Sequence, residues 1–281
     1  MSKKIASLVL AFILAVSLVV PTIAYNVAKP LTEYDYWVDS AEQADYFNKL
    51  KNYVERYLGK TYAPPSGVTL ETFKDLISLD EVKQFFSAQL KAALASGTYR
   101  ESEADSAVFK KTLKERYDDY AAKLGSELTP EQDAAQKEAI DYVVDLCVAD
   151  YVAHGKLQYL MLAERYVVSY RSALLTASSV CLCLALACVL TLLISLKKKS
   201  IGYFAYALGG ASLLGFLPEI YLRMIGFYST FGFDPPYMLD LFFALEGGVM
   251  KRIMLCATVF AVLSVILAVT DVILNKDKKA E

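Results

Sequence analysis

The chain has 281 residues, 56% of them hydrophobic, a positive mean hydropathy of +0.35 and a formal net charge of −2. Its apolar residues gather in four blocks separated by charged sequence, which excludes one soluble domain and points to several membrane spans. Without a basic stripe there is no case for nucleic acid as a partner, and a single histidine excludes any metal or triad site that needs two.

Residues 5–28 are uncharged and come directly after Lys3 and Lys4. Two readings of segment 1–28 fit: a signal anchor that stays as span 1, or a signal peptide cleaved after Ala24, where Thr22-Ile23-Ala24 offers small residues. The apolar core before Pro21 is long for a cleaved leader, which favours retention. Both readings export the segment beyond it.

Segment 29–168 reads as a helical extracytoplasmic domain. A first helix over 33–58 presents Trp37, Ala41, Ala44, Phe47, Leu50, Val54 and Leu58 at spacings of three and four, with Gly59 as its stop. A loop over 62–67 comes next, carrying Pro64 and Pro65. Thr69 and Ser78 are candidate N-caps, and Ser78 with Glu81 forms a capping box ahead of Val82, Phe85, Phe86, Leu90 and Leu94. Gly97 closes that helix, and Ser102 opens another through Val108, Leu113, Tyr117 and Tyr120 to Gly125. Thr129, Pro130 and Gln132 then start a helix strongly. Along it Ile140, Val144, Cys147, Tyr151, His154, Gln158 and Met161 form a seam spaced like that of a coiled coil, and the pattern predicts one helix, or two nearly collinear ones, running into the membrane. No stretch alternates with period two, so no sheet is expected.

Segment 169–199 holds span 2. Residues 172–196 are 25 without a charge, closed by Lys197, Lys198 and Lys199. At about 1.5 Å per residue they exceed the roughly 30 Å of a hydrocarbon core. Segment 200–225 is span 3, with Pro218 near its outer end. Segment 226–250 is an outer loop dense in aromatics, among them Phe227, Tyr228, Phe231, Phe233, Tyr237, Phe242 and Phe243, whose apolar content suits the headgroup region. Segment 251–281 is span 4 with a basic tail. Residues 25–171 carry 24 acidic and 18 basic side chains, whereas Lys3, Lys4, Lys197 to Lys199 and residues 276–281 together carry eight bases and two acids. That bias puts the lysine-rich segments in the cytoplasm and the acidic domain outside.

Small residues recur every four positions at Ala173, Ala177, Cys181 and Ala185 on span 2 and at Ala207, Ala211 and Gly215 on span 3, as close helix packing in lipid requires. Glu219 and Arg223 lie one turn apart at the outer end of span 3, and Asp271 lies near the inner end of span 4. A permeation site is one reading of these charges. An interfacial ion pair, with a carboxylate snorkelling toward nearby lysines, is the one their positions at the membrane edges favour. Cys147 and His154, seven residues apart on a helix, are about 10 Å apart along its axis and cannot hydrogen-bond directly. Of five cysteines only Cys147 falls in the domain, so no internal disulfide can staple it, and no Asn-x-Ser/Thr sequon occurs there. No catalytic residue, cofactor site or metal site is expected.

The fold class expected is an all-α integral membrane protein with four transmembrane helices and one extracytoplasmic helical bundle inserted between spans 1 and 2. The expected function is non-enzymatic: a multi-pass protein of the cell membrane displaying a protein-interaction or sensing domain, with the lipid bilayer and a protein as its partners. One span, a domain and three spans is also similar in layout to ABC permeases that relay force rather than pump. The chain carries no motif of theirs, and it lacks the cytoplasmic coupling helix with which they grip an ATPase. A membrane-bound enzyme is the third and least favoured reading.

Overall fold

Long apolar runs, correct caps and an absence of period-two alternation favour helix, and no strand occurs among the described residues. The computed structural model describes residues 2–66, 68–96, 106–123, 129–155, 158–227 and 235–280. Gly97, Ser102, Gly125, Tyr228, Phe231, Phe233 and the side chains of Gln158 and Met161 lie outside the described residues. The helices are α1 (Ser2–Leu31), α2 (Tyr34–Gln43), α3 (Tyr46–Ser66), α4 (Leu79–Ser96), α5 (Ala107–Lys123), α6 (Pro130–Gly155), α7 (Gln158–Leu196), α8 (Ser200–Met224) and α9 (Pro236–Ala280). They divide into two compact units: Met1–Ser40 with Tyr166–Glu281, and Ala41–Arg165.

The first unit contains four helices long and apolar enough to cross a membrane, over Lys3–Pro30, Tyr170–Leu196, Ser200–Met224 and Pro236–Leu274. Helix α1 continues through Pro21, which does not break it. Helix α8 packs against both α9 and α1, and α1 also touches α9. Ala207 is buried with Ala11 and Leu14 of α1 and with Ala185, Cys188 and Leu192 of α7. One turn on, Ala211 is buried against Ala15 and Val19. The α8–α9 pair is antiparallel, and three close approaches set its register. A Cβ added at Gly202 would lie 2.9 Å from an Asp271 carboxylate oxygen, one at Gly209 3.1 Å from the Ser264 hydroxyl, and one at Gly215 2.9 Å from the Ala257 Cβ. Ser264 also donates to the Ala205 carbonyl at 2.7 Å, a bond between two helices.

Two expectations about this unit change. Residues 236–250, expected as the end of an outer loop, are the first turns of the 45-residue helix α9. Pro235 and Pro236 allow this because proline is suited to a helix start, where an N–H has no partner to lose. On α7 the buried face is Ser178, Ala185, Cys188 and Leu192, with Cys181 half-buried, while Ala173 and Ala177 are exposed. The small-residue stripe therefore turns away from the helix's packed side toward its N-terminal end.

The second unit is built on large side chains. Phe47 packs edge to face with Tyr46 and Phe86, whose own rings are tilted, with centroids 5.2–5.7 Å apart, and Phe109 stacks on Tyr151 at 4.5 Å. The Ser78 box closes as expected, with the Glu81 carboxylate accepting from the Ser78 amide at 2.7 Å and the Ser78 hydroxyl from the Glu81 amide at 3.1 Å. Thr129 and Gln132 exchange the equivalent pair at 2.9 and 3.3 Å. Thr69 precedes only a 3₁₀ turn, Leu70–Phe73, and its side chain makes no capping bond.

Expected helix ends differ where packing overrides local signals. The first helix breaks after Gln43, at Asp45, whose φ of 53° is one that aspartate tolerates better than most residues. Gly59 does not stop α3, which runs on to Ser66 through Pro64. This glycine makes room for the 3₁₀ turn, because a Cβ there would sit 3.2 Å from Leu70 and 3.5 Å from Phe73. On α5 the buried residues are Phe109, Leu113 and Tyr117, whereas Val108 is exposed.

Candidate functional site: a charged groove beside the uncharged spans

The uncharged stretch of α8 ends at Pro218 and Glu219, and that of α9 begins after Lys251 and Arg252. Extending the Gly202–Asp271, Gly209–Ser264 and Gly215–Ala257 register by one turn brings these charges to the same level. At that level a groove of about 560 Å³ opens between the two helices. Its α8 wall is Glu219 and Arg223; its α9 wall is Phe243, Glu246, Met250, Lys251 and Met254, with Gly247 between them.

Glu219 and Arg223 form the expected pair, because α8 continues as a helix through Pro218 and keeps them one turn apart. The Arg223 Nε donates to Glu219 Oε1 at 2.6 Å, with the arginine side chain 73% exposed and the glutamate 11%. The pair therefore has a buried carboxylate and a guanidinium reaching outward, which is the geometry of a positioned cation rather than of a fully enclosed ion pair.

Next to the groove Tyr36 anchors α2 to α9. Its hydroxyl donates to the Leu245 carbonyl, and Arg252 lies 5.0 Å from its ring centroid. Gly248 is required here, since any Cβ would meet the Tyr36 ring at 3.2 Å. Burial raises the Tyr36 hydroxyl above its ordinary range, with Arg252 opposing, so it stays protonated and able to donate. Sequence signals miss this anchor because Tyr36 and Leu245 are 209 residues apart in the chain; Gly248 inside an otherwise strong helix is its trace.

Asp271 sits beside Gly202 in the first turn of α8, where the helix dipole favours a negative charge and glycine leaves space for its carboxylate.

In the second unit, burial, with Asp150 adding to it, pushes the Cys147 thiol up to about 12, the opposite of what a nucleophile requires. Tyr62 donates to Asp150 Oδ2 at 2.6 Å, and burial, then that carboxylate, hold its hydroxyl protonated above the ordinary phenol range. His154 packs edge-on between Tyr53 and Tyr57, at 5.4 and 4.3 Å. Cys147 and His154 are thus separate packing elements of the α6 seam. The guanidinium of Arg116 gathers the carbonyls of Thr72, Lys74 and Asp75, at 3.1 Å for Thr72 and 2.7 Å for Asp75, and fixes the turn at Asp75, whose φ is 49°. Between α5 and α6 an opening of about 850 Å³ is lined by Lys114, Asp133, Lys137 and Asp141, but Lys114 already pairs with Asp141 and Lys137 with Asp133. Among the described residues no three His, Cys, Asp or Glu side chains are grouped to hold a metal ion.

Fold and groove together define an all-helical protein with four helices long and apolar enough to span a bilayer. Comparison with protein-family models, curated proteins and solved structures gives no match.

Proposed function

We propose that the chain is a multi-pass protein of the cell membrane that displays residues 41–165 on the extracytoplasmic side as a non-enzymatic module for protein interaction or sensing. The observation that carries this reading is the placement of its lysines. With four crossings, Lys3 and Lys4, Lys197 to Lys199 and the 276–281 tail all fall on one side, and the unit between the first and second crossings falls on the other. Eight bases against two acids on the first side assign it to the cytoplasm.

A retained first span is part of the proposal. Ala11, Leu14, Ala15, Val19, Ala24 and Ala28 are buried, so the bond after Ala24 lies inside a packed helix, and losing α1 would uncover Ala207 and Ala211. The non-enzymatic reading is supported by Cys147, which is fully buried and whose thiol is raised, the opposite of what a nucleophile requires.

The test is thiol labelling in intact cells with a membrane-impermeant maleimide, on full-length protein carrying one engineered cysteine. Lys91→Cys labels and Lys198→Cys does not until the membrane is opened. The reverse pattern would overturn the topology and the display function with it. A photo-crosslinking residue at exposed Tyr142 then captures a protein partner in the same cells. If only lipid is captured there and at other exposed positions of 41–165, the interaction role fails.

A further inference from the structure

We infer that the groove between α8 and α9 is a binding site for one phospholipid with a phosphoethanolamine headgroup. Its lining changes character along its length. Glu219, Arg223, Glu246 and Lys251 supply two acids and two bases at the level where the uncharged stretches end. Met250, Met254 and Phe243 supply apolar surface beside them, and Leu255 and Val259, further along α9, are exposed and apolar as an acyl chain requires.

Charge decides among headgroups. Arg223, held by Glu219 with its side chain 73% exposed, and Lys251 are the phosphate donors. Arg252, next in sequence, is committed to the Tyr36 ring, which leaves Lys251, without an ion pair among the described residues, on the groove wall. The two carboxylates cancel the two cations, so a headgroup with net negative charge gains nothing over a neutral one. They also favour a primary ammonium, which donates hydrogen bonds to carboxylates, over a quaternary one, which cannot.

Gly247 is the independent observation. Glycine inside a helix costs about 1 kcal/mol relative to alanine. Its neighbour Gly248 has a reason, the Tyr36 ring, but a Cβ at Gly247 would meet nothing within 4 Å. No described residue requires this glycine. Its position on the groove wall does, if the space is to be filled by a ligand.

The test uses the full chain reconstituted in nanodiscs of phosphatidylethanolamine, phosphatidylcholine and phosphatidylglycerol in equal amounts, then released into detergent for native mass spectrometry. One phosphatidylethanolamine should remain bound in preference to the other two. Lys251→Gln should lower its retention about tenfold, the cost of one charge-assisted hydrogen bond. Gly247→Trp, which changes no charge and has open space to enter, should abolish it. Equal or greater retention of phosphatidylglycerol or phosphatidylcholine overturns the assignment, as does displacement by free phosphoethanolamine, or retention unaltered in both variants. Far-ultraviolet circular dichroism and elution profile check that each variant keeps its fold. The outcome does not depend on which side of the membrane the groove faces, so it stands or falls separately from the display function.

Discussion

The two units solve the same problem, holding helices together, with opposite materials. The largest fully buried side chains of the 41–165 unit are the rings of Tyr46, Phe73, Phe86 and Phe109, whereas those of the span unit are Leu192 and Ile253. In the span unit α8 meets its neighbours through Gly202, Ala207, Gly209, Gly210, Ala211 and Gly215. Water supplies a driving force proportional to apolar area, so a water-facing bundle gains by burying rings. Between spans, lipid removes that force, and close backbone approach with a bond such as Ser264 to Ala205 takes its place. Residue size at the helix contacts thus differs between the two units in the direction that burial from water and packing in lipid each favour.

The comparison predicts opposite tolerances. Phe86→Ala should cost the 41–165 unit about 3–5 kcal/mol, seen as loss of amide hydrogen-exchange protection across α3 and α4. Exchange in α8 and α9 should be unchanged. A uniform loss throughout the chain would mean that the units do not fold as separate bodies.

The converse change adds rather than removes volume. Gly215→Ala puts a methyl 2.9 Å from the Ala257 Cβ, where both partners sit on helices and neither can swing aside. The expected cost is about 1–3 kcal/mol to the α8–α9 pair, read as a lower melting temperature in detergent by Trp37 fluorescence. Gly215→Ala and Ala257→Gly together should recover most of it, since one methyl replaces the other across the contact.

Much of this organisation is legible in the chain itself. The Ser78–Glu81 and Thr129–Gln132 caps, the charge-free runs and the 207–211–215 stripe are local patterns, and local hydrogen bonding or small size is what each structure uses. Asp45, Gly59 and Phe109 are not legible in that way. The break at Asp45 depends on how α2 and α3 each pack, Gly59 reads as a helix stop until Leu70 and Phe73 lie against it, and Phe109 takes the buried place expected of Val108 by stacking on Tyr151 of α6. Only the Glu219–Arg223 half of the groove is visible in the sequence, because its other wall reads as a loop. A proline-led start at Pro236 is weak against seven aromatics that also suit an interface. The second-span stripe is divided: Ala185 packs against α1 and α8 within the chain, while Ala173 and Ala177 are exposed.

Protonation gives a third contrast. Cys147 is held protonated to about 12 in the folded unit, against an ordinary value of 9 for an exposed thiol. The folded state therefore binds this proton more tightly than the unfolded one. The resulting stability is complete below pH 9 and is lost as pH rises between 9 and about 12. The slope is about 1.4 kcal/mol per pH unit at most. Urea midpoints for the 41–165 unit, tracked by hydrogen exchange at pH 8 and pH 10, should fall, and Cys147→Ala should flatten the fall. A slope equal in the variant would mean that the thiol is not buried as described.

The smallest effect separates propensity from packing within a single helix. Ser78→Ala removes the hydroxyl that accepts from the Glu81 amide and leaves the Glu81 carboxylate its own bond to the Ser78 backbone, so half of the capping box survives. The expected loss is about 1 kcal/mol, confined to the first turn of α4. Glu81→Ala should cost a similar amount by removing the other half. Because the two bonds share one turn, the double variant should lose less than the sum of the two single losses. Strict additivity would show the bonds to be independent, and a loss reaching Phe85 and Phe86 would show that the cap, rather than the aromatic core one turn later, sets where this helix begins.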